Sequence, residues 1–599
     1  MSLRSLLPLS LRARLTCCCH SSRFSRTIHA RKMTTLPRLP ILEAVSGHNP
    51  SSTAVVHAKS GRSFTYGELL GDVGKARDRL KEAWGGKDGN GERVAFLVEN
   101  SYDYVVTLLA CLAARSIAVP LSPAFPAPEL QYILNQSEAS LLLSSAKFAT
   151  KAEQVLETEL SSKPTHVALP KHQGGGPNTG AITWDESGPG EAGLMLYTSG
   201  TTNRPKGVLL PQATLTAQCQ SLLRAWSYTP SDHLLHVLPL HHIHGTVNAL
   251  LTPLLAGSTI EFLFPFNADA VWSRLAAPFL PMNGHPIPSD KITFFTVVPT
   301  VYSRLIATYK LMSPQMQQAA SAAVSPENMR LSISGSAALP TPIKSAWRTL
   351  SKGNVLLERY GMTEVGMALS CGLDPADRVD ASVGWPLPSV QARLVDVDTN
   401  EIIREGEEID PETGKERSGE IQLRGPTIFQ EYWRNPAATA SEFVEGEDGQ
   451  GKWFKTGDVA VRRPVPSAAQ SQDWTKGPLY FIQGRKSADI IKTGGEKVSA
   501  LEVERELLSL DEVAEAAVVS VPSGKWGQKV GCVIVLDKDF AQQWKPMDMR
   551  RALRDRLANY KIPQVMKIVD EIPRNAMGKI NKKLLVQVTF KDEHSGDEM

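Results

Sequence analysis

A loop rich in hydroxyl side chains follows an apolar stretch in the first half of the chain. Residues 194–208 read Leu-Met-Leu-Tyr-Thr-Ser-Gly-Thr-Thr-Asn-Arg-Pro-Lys-Gly-Val. The loop can offer hydroxyl donors, a glycine that lets an anion approach the backbone, and a positive charge. These groups belong to Thr198, Ser199, Gly200, Thr201, Thr202 and Lys206. Such a loop predicts a phosphate site, although a loop of this composition taken alone is more often a surface turn.

The loop is not a Walker motif, because its spacing differs from Gly, four residues, then Gly-Lys-Ser/Thr. Four further short motifs follow it in order: Tyr360–Glu364, Trp453–Asp458, Gly484–Arg485 and Pro573–Ile580. With these motifs the chain resembles the adenylate-forming acyl-CoA synthetase superfamily over roughly residues 45–590. The family usually has glycine at position 203, where this chain has asparagine. Asparagine tolerates a left-handed backbone, so we expect the loop shape to survive.

Within the superfamily the sequence is most similar to malonyl-CoA synthetases. The similarity rests on the strings Leu238–Gly245, Ser334–Pro340, Leu357–Glu364 and Ile490–Glu502. It implies an AMP-forming acid–thiol ligase that joins malonate, and also methylmalonate, to coenzyme A through an acyl-adenylate. The products would be malonyl-CoA, AMP and pyrophosphate. Two alternatives stay open: a CoA ligase for medium-chain or aryl acids, and a non-catalytic adenylate-binding protein.

The resemblance also implies roles around the phosphates of ATP. The hydroxyl loop and Lys206 would take the β- and γ-phosphates, and Thr363 would donate to a phosphate oxygen. Glu364 would hold Mg²⁺, which prefers oxygen ligands and bridges phosphates. Lys579 would reach the α-phosphate and the substrate carboxylate during adenylation. The competing interpretation of Thr363 and Glu364 is a helix-capping pair.

By the same resemblance, a second group of residues binds the nucleoside. Its expected members are Gly335, Ser336, Ala337, Tyr360, Asp458 and Arg485. Tyr360 would stack on adenine beside the glycine turn. Asp458 would accept both ribose hydroxyls, with Arg485 assisting from the hinge.

The thioester step requires the catalytic lysine to leave the site, and the family achieves this by rotating the small domain about a hinge near Arg485. After rotation, residues on that domain would face the thiol channel of CoA: Gly494, Gly495 and Lys497. His242 matches the family's aromatic or histidine gate beside the acyl carboxylate.

Two arginines are candidates for the second carboxylate of a dicarboxylic acid. Arg359 directly precedes the Tyr-Gly motif, and Arg304 lies in a nearby apolar segment. A fatty-acid pocket would avoid a buried guanidinium, because an unpaired buried charge is costly. The alternative is that either arginine pairs with a structural carboxylate.

Composition and patterning predict an α/β protein. The 599 residues carry a formal charge of +3, which implies no nucleic-acid partner. The family resemblance implies a small-molecule carboxylic acid as the substrate. Alternating strands and helices predict a large N-terminal domain of helix-covered sheets, with a small antiparallel β element over residues 383–458. A small, mobile α+β C-terminal domain should follow. We expect domains at 1–44, 45–484 and 485–590, loops at 163–191, 278–290 and 464–477, and a monomer or homodimer.

The first 44 residues predict a mitochondrial transit peptide. Eight basic residues precede the first acidic residue, Glu43. The expected location is the mitochondrial matrix, with a cytosolic form possible by initiation at Met33. No apolar run is long enough for a membrane span. The scattered cysteines after the leader predict buried thiols in a reducing compartment, and His241, His242 and His244 lack the partners of a zinc site.

Overall fold

The computed structural model describes residues 34–176, 182–198, 204–280, 290–523, 527–537, 544–574 and 580–591. The strands up to residue 262 are β1 (Thr34–Pro37), β2 (Thr53–His57), β3 (Ser63–Thr65), β4 (Arg93–Leu97), β5 (Ile117–Pro120), β6 (Leu141–Ser145), β7 (Thr165–Leu169), β8 (Ile182–Asp185), β9 (Gly193–Thr198), β10 (Lys206–Pro211), β11 (His233–His236) and β12 (Thr259–Phe262). The strands from 294 to 485 are β13 (Phe294–Val297), β14 (Leu331–Ser334), β15 (Leu357–Met362), β16 (Gly366–Ser370), β17 (Trp385–Pro386), β18 (Gln391–Asp396), β19 (Ile402–Ile403), β20 (Gly419–Arg424), β21 (Glu431–Tyr432), β22 (Phe443–Glu445), β23 (Lys452–Arg463) and β24 (Leu479–Arg485). The last strands are β25 (Ile490–Thr493), β26 (Glu496–Ser499), β27 (Val513–Ser523), β28 (Gly527–Leu536) and β29 (Val565–Ile568).

The helices alternate with these strands through the first two thirds of the chain. The α-helices are α1 (Pro40–Gly47), α2 (Tyr66–Ala83), α3 (Tyr102–Ala113), α4 (Ala127–Ser137), α5 (Ala149–Leu156), α6 (Gln212–Trp226), α7 (Thr252–Ala256), α8 (Ala268–Ala276), α9 (Pro299–Lys310), α10 (Pro314–Ala323), α11 (Thr341–Leu350), α12 (Pro436–Ser441), α13 (Ala500–Leu508), α14 (Pro546–Leu553) and α15 (Lys582–Thr589). A π-helix spans His244–Leu251, ahead of α7.

The large N-terminal domain contains two sheets with parallel central strands. In the described part of the chain, the first sheet has the order β21-β10-β9-β5-β4-β6-β7, and the second has the order β17-β16-β15-β14-β13-β11-β12-β2-β3. Pairing is parallel from β9 to β7 in the first sheet and from β15 to β2 in the second. Parallel strands need helical crossovers, which cover the sheet faces. The predicted α/β class is confirmed.

Local sequence explains where the first helices begin and how they are buried. Thr65 caps α2, because its hydroxyl accepts from the Glu68 amide at 3.2 Å while the Glu68 carboxylate accepts from the Thr65 amide at 2.8 Å. All 12 residues of α3 are buried, and the helix contacts β5 of the first sheet and β2 of the second. A helix that is apolar on every side belongs in such a core.

The antiparallel element has the strand order β19-β18-β20-β23-β22, with β24 also paired to β23. It confirms the small antiparallel β element predicted over residues 383–458, and the sheet continues past Asp458 to Arg485. The small C-terminal domain follows, with β25 to β29 in one sheet and helices α13, α14 and α15. Its two apolar clusters begin at Ile491 and contain no residue of the large domain. The fold is therefore a large α/β domain followed by a small α+β domain.

One of the three expected connecting loops needs correction. The loop predicted over 163–191 contains β7 and β8, so that prediction was wrong. Strand β8 pairs with β1 in parallel register, Thr34 opposite Ile182. Residues 34–44 therefore belong to the large domain, where Leu36, Leu39 and Leu42 are each 0% exposed.

The segment 464–477, expected to be an exposed insertion, is mostly exposed but fixed by side chains. The Gln470 amide donates to the fully buried Asp377 carboxylate at 2.7 Å, and the Gln472 side chain donates to the Ala225 carbonyl at 3.0 Å. Trp474 also packs against the core. Of the third expected loop, residues 281–289 lie outside the described part.

The predicted burial of the four cysteines after the leader is confirmed, since Cys111, Cys219, Cys371 and Cys532 are buried and free. Across the described ranges, no helix has both the length and the apolar composition of a membrane span.

Candidate active site

The candidate site lies at the carboxyl edge of the second parallel sheet. Strand β14 ends at Ser334, and the turn Gly335-Ser336-Ala337 follows it directly. Strand β15 pairs with β14 so that Glu358 is opposite Ser334, which puts Arg359 beside the turn. Ligands of open α/β sheets bind outside the carboxyl ends of the strands. The sheet thus brings a predicted nucleotide turn and a predicted substrate arginine together.

A group of polar side chains surrounds the guanidinium of Arg359; we call it the arginine cluster (His244, Thr296, Gly335, Ser336 and Arg359). Arg359 Nη2 donates to the Ser336 hydroxyl at 3.3 Å, and Ser336 lies 3.5 Å from His244 Nδ1. His244 Nε2 is 2.7 Å from the hydroxyl of Thr296. Ser336 is exposed, so the cluster has an open side.

The turn is shaped to let the arginine lie against the backbone. A Cβ atom at Gly335 would stand 2.5 Å from Arg359 Cζ, which is closer than van der Waals contact allows. Ser336 adopts a left-handed backbone with φ of 68°, uncommon for a residue other than glycine. The strain of this backbone conformation persists only where the surrounding structure fixes the residue, and such strained positions are concentrated at functional sites.

Three histidines of this region, His236, His241 and His244, are held neutral. Burial and the nearby positive charge of Arg359 hold the pKa of His244 well below its ordinary value. Burial also lowers the pKa of His236 to about 4 and that of His241 to about 3. The half-buried ring of His242, the expected gate, lies 4.1 Å from that of His241. His244 opens a π-helix, a rare conformation that is frequent at functional sites.

Arg359 is a buried cation that has no anionic partner among the residues the structure describes. Arg359 is only 3% exposed, and this burial lowers the pKa of its guanidinium to about 9. Within the described residues its Nε finds no hydrogen-bond partner, and no carboxylate lies within 4.0 Å of the guanidinium. Arg304, the second candidate, is exposed on α9, so the structure does not bring it into this cluster.

A second group, the nucleotide cluster (Lys206, Tyr360, Glu364, Tyr432, Asp458 and Arg485), contains paired charges. The Tyr360 hydroxyl donates to Asp458 Oδ2 at 2.6 Å, and Arg485 Nε lies 3.0 Å from Asp458 Oδ1. Successive side chains of a strand point to opposite faces, so β15 delivers Arg359 and Tyr360 to different groups. Asp458, expected to accept the ribose hydroxyls, therefore lies between two other residues that the resemblance predicts for the nucleotide.

Glu364 forms the other half of the nucleotide cluster. Its Oε1 accepts from the Tyr432 hydroxyl at 2.9 Å, and the Nζ atom of Lys206 lies 4.4 Å from the centre of the Tyr432 ring. Burial raises the pKa of Glu364, while the hydrogen bond from Tyr432 and the charges of Arg485 and Lys206 oppose that rise. Tyr432 was missed in the sequence, where it lies in an aromatic run typical of core.

Several predicted residues fall elsewhere or outside the described ranges. Thr363 lies half-buried beside Glu364, and Thr198 pairs with Lys206 across strands β9 and β10. The rest of the phosphate loop, Ser199 to Thr202, and the catalytic candidate Lys579 lie outside the described residues.

The three residues expected on the CoA side lie on the hairpin between β25 and β26. Gly494 and Gly495 both have positive φ, 58° and 87°. The ammonium group of Lys497 is paired at 2.5 Å with Asp398 of the large domain. In this arrangement Lys497 contacts the antiparallel element and makes no described contact with the nucleotide cluster.

Two sequence families match the chain: the AMP-binding enzyme over residues 42–433 and the AMP-binding enzyme C-terminal domain over 502–579. The protein therefore belongs to the AMP-binding enzyme family, and it is an acid–thiol ligase of the acyl-CoA synthetase type. It is 58% identical to a CoA ligase of Gibberella moniliformis, over 93% of this chain and 95% of that one. It is 40% identical to the mitochondrial malonate–CoA ligase ACSF3 of Mus musculus, over 83% of this chain and 82% of the relative.

Solved structures agree with the fold. The ATP-bound crystal structure of MatB from Rhodopseudomonas palustris superimposes with a TM-score of 0.75 at 30% identity. That similarity covers 93% of this chain and 99% of MatB. The adenylate-forming family resemblance found in the motifs is thereby confirmed.

Proposed function

We propose that the protein joins malonate, and also methylmalonate, to coenzyme A with ATP, through an acyl-adenylate. One observation carries the choice of acid: the buried guanidinium of Arg359 faces no carboxylate in the described part of the chain. A buried charge left unpaired is strongly unfavourable, so the site favours a ligand that brings an anion. A dicarboxylic acid keeps a second, charged carboxylate after the first is activated, and this second carboxylate can pair with Arg359.

The surroundings of Arg359 support a carboxylate more than an apolar chain. The guanidinium is planar and can hold a carboxylate by two parallel charge-assisted hydrogen bonds. The adjacent Ser336 hydroxyl can contribute another donor, and the neutral His244 adds no competing charge. Relatives named as malonate–CoA ligases in mouse and Arabidopsis thaliana, 40% and 35% identical, support the same acid.

The first half-reaction is adenylation. A carboxylate oxygen of malonate attacks the α-phosphorus of ATP, the bond to the β-phosphate breaks, and pyrophosphate leaves. We assign the β- and γ-phosphates to Lys206, Thr363 and the loop Thr198–Thr202, and the α-phosphate to Lys579. Positive charge and donors are needed because negative charge accumulates between two anions.

The nucleoside half of ATP is assigned to the other end of the nucleotide cluster. Asp458 would exchange its bonds to Tyr360 and Arg485 for the ribose hydroxyls, since a carboxylate is an acceptor only. Tyr360 and the Gly335–Ala337 turn would border adenine.

Glu364 fits the hard oxygen ligand that Mg²⁺ requires. The ion is commonly held by one or two carboxylates together with substrate phosphates, and Glu364 lies beside the phosphate candidate Lys206. When bound, Mg²⁺ would neutralise charge on the phosphates. Glu364 would hold the ion, and Lys206 would take the remaining phosphate oxygens.

The second half-reaction forms the thioester. The sulfur of CoA attacks the acyl carbon, the bond to AMP breaks, and the thiol proton passes to water. We assign His242 to the gate beside the acyl group and Gly494, Gly495 and Lys497 to the CoA side. Lys497 must then leave Asp398, which requires the small domain to rotate about Arg485.

The experiment is a CoA- and ATP-dependent assay over malonate, methylmalonate, acetate, octanoate and coumarate, with Lys579→Ala as the blank. We expect malonate to have the highest kcat/KM and methylmalonate to follow. Faster turnover of octanoate or coumarate would contradict the malonate assignment and favour a CoA ligase for medium-chain or aryl acids. Nucleotide binding without turnover of any acid would leave an adenylate-binding protein.

We also propose a mitochondrial location, with the leader ending before Thr34. Fusing residues 1–33 to a fluorescent protein should send it to mitochondria, because this segment is basic and free of acidic residues. The matched control replaces Arg12 and Arg14 by glutamate and should stay in the cytosol. A diffuse signal from the unmodified fusion would instead favour initiation at Met33.

A further inference from the structure

Tyr432 touches both residues that the proposed function assigns to the pyrophosphate end of ATP. Its hydroxyl donates to Glu364 Oε1 at 2.9 Å, and the face of its ring lies 4.4 Å from Lys206 Nζ. The residue is only 5% exposed, so both contacts form in a largely water-free setting. Hydrogen bonds to a charged acceptor and cation–π contacts are strengthened by such desolvation.

The backbone fixes Tyr432 at this position. Strand β21 pairs with β10, and Tyr432 stands opposite Val208, two residues after Lys206. On either side, the Trp433 amide donates to the Gly207 carbonyl at 2.8 Å and the Gln430 amide to the Leu209 carbonyl at 3.0 Å. The Tyr432 amide also donates to the Thr439 hydroxyl at 3.0 Å. The ring therefore has little freedom to move away from Lys206.

The segment is also tied to the motif that carries Glu364. The amide of Phe429 donates to the Glu364 carbonyl at 2.7 Å, and the rings of Phe429 and Tyr432 pack with centres 4.9 Å apart. One short segment thus holds the backbone of Glu364, its carboxylate, and the Lys206 side chain. A lysine and a glutamate from distant parts of the chain are set in place by one tyrosine.

We propose that Tyr432 is a positioning residue for adenylation, which orients Glu364 through its hydroxyl and Lys206 through its ring. This inference rests on the proposed function, which assigns those two residues to the phosphates and Mg²⁺. Tyr432 acts before pyrophosphate leaves and has no part in the thioester step. Its two contacts can be removed in two steps, because phenylalanine loses only the hydroxyl and leucine loses the ring as well.

The test measures adenylate formation and thioester formation separately in the full-length protein. For Tyr432→Phe we expect the KM for ATP in adenylation to rise about 10-fold. For Tyr432→Leu we expect kcat/KM for ATP in adenylation to fall about 100-fold, because the cation–π contact with Lys206 is also lost. Thioester formation from pre-made malonyl-adenylate should stay within about two-fold of the wild type. The matched control is Tyr66→Phe, which removes a buried hydroxyl bonded at 2.7 Å to the Ser258 carbonyl, away from both clusters.

A binding measurement supplies a readout that does not depend on turnover. By calorimetry with Mg²⁺ present, Tyr432→Phe should bind an ATP analogue bearing an α,β-methylene bridge about 10-fold more weakly. Its affinity for AMP, which lacks the β- and γ-phosphates, should not change. Equal weakening of both ligands, or equal losses in both half-reactions, would make Tyr432 a structural residue and overturn the inference.

Glu364→Gln distinguishes a failure of the inference about Tyr432 from a failure of the role proposed for Glu364. If Glu364→Gln loses adenylation while Tyr432→Phe matches the wild type, the inference about Tyr432 fails and the proposed role of Glu364 stands. If Glu364→Gln keeps full adenylation, the proposed role itself fails, whatever Tyr432 does.

Discussion

The arginine cluster and the nucleotide cluster receive consecutive residues of the same strand, yet they differ in how charge is balanced. In the nucleotide cluster, Asp458 contacts Tyr360 and Arg485, and Glu364 contacts Tyr432. In the arginine cluster, described neighbours of the Arg359 guanidinium are a hydroxyl and a neutral imidazole. In the first group the carboxylates have partners within the protein, while among the described residues the guanidinium of the second has no carboxylate beside it. We infer that chemistry common to all acids resides in the first and selectivity in the second.

Replacing the unpaired cation should separate the two clusters most clearly. With malonate as substrate, Arg359→Met should lose about 3 to 5 kcal/mol of transition-state stabilisation, because the second carboxylate of malonate would be buried without a partner. That is a loss of roughly 10² to 10⁴ in kcat/KM. Butyrate should lose far less or gain. Arg304→Met is the matched control, since Arg304 is exposed and should leave both acids unchanged. A parallel decline of malonate and butyrate would assign Arg359 to the nucleotide site or the fold.

Lys579→Ala should affect every acid alike, because it acts in adenylation and not in acid selection. We expect adenylate formation to fall by about 10² to 10³, the loss of one transition-state contact. Stopped-flow or single-turnover assays should find thioester formation from pre-made malonyl-adenylate intact. Equal losses in both half-reactions would point to misfolding of the small domain.

Asp458→Asn removes the charge at the centre of the nucleotide cluster. The variant keeps the size of the side chain but weakens the bonds from Tyr360 and Arg485 and to the ribose. We expect kcat/KM to fall about 10- to 100-fold, by the same factor for malonate and butyrate. If the malonate-to-butyrate ratio changed more than about three-fold, the separation of the two clusters would be contradicted.

Gly335→Ala should disturb the arginine cluster without removing any charge. The added Cβ would meet Arg359 Cζ at 2.5 Å, so the guanidinium must shift. An overpacked position typically costs about 1 to 3 kcal/mol, and we expect malonate kcat/KM to fall about 10-fold with butyrate less affected. Gly47→Ala, which meets nothing within 4 Å, is the control. An unchanged preference for malonate over butyrate would mean that the Gly335 turn does not determine the position of the Arg359 guanidinium.

The sequence was informative wherever local signals decide the structure. Thr65 and Glu68 mark the start of α2, and the apolar run after Tyr102 marks a buried helix, because capping and periodicity act over a few residues. The exposed position of Arg304 was also accessible: Val301, Tyr302 and Leu305 form the buried face of α9, which leaves position 304 outside.

What was missed depends on contacts between distant residues. Strand β8 is recognisable only through its pairing with β1, whose partners Thr34 and Ile182 are far apart in the chain. Tyr432 joins the nucleotide cluster only because β21 pairs with β10. Neither pairing has a local signature, since pairing preferences depend on context. That no carboxylate of the described residues lies beside Arg359 could likewise not be predicted from sequence spacing.

The most direct test of the account is the binding of stable acyl-adenylate analogues. Calorimetry would compare malonyl- and butyryl-sulfamoyl adenosine on the wild type and on Arg359→Met. Both analogues fill the nucleotide cluster equally, so their difference reports the second carboxylate alone. We predict that the wild type prefers the malonyl analogue by about 100-fold and that the preference disappears in the variant. A preference of the same size in both proteins would contradict the central claim that Arg359 selects the acid.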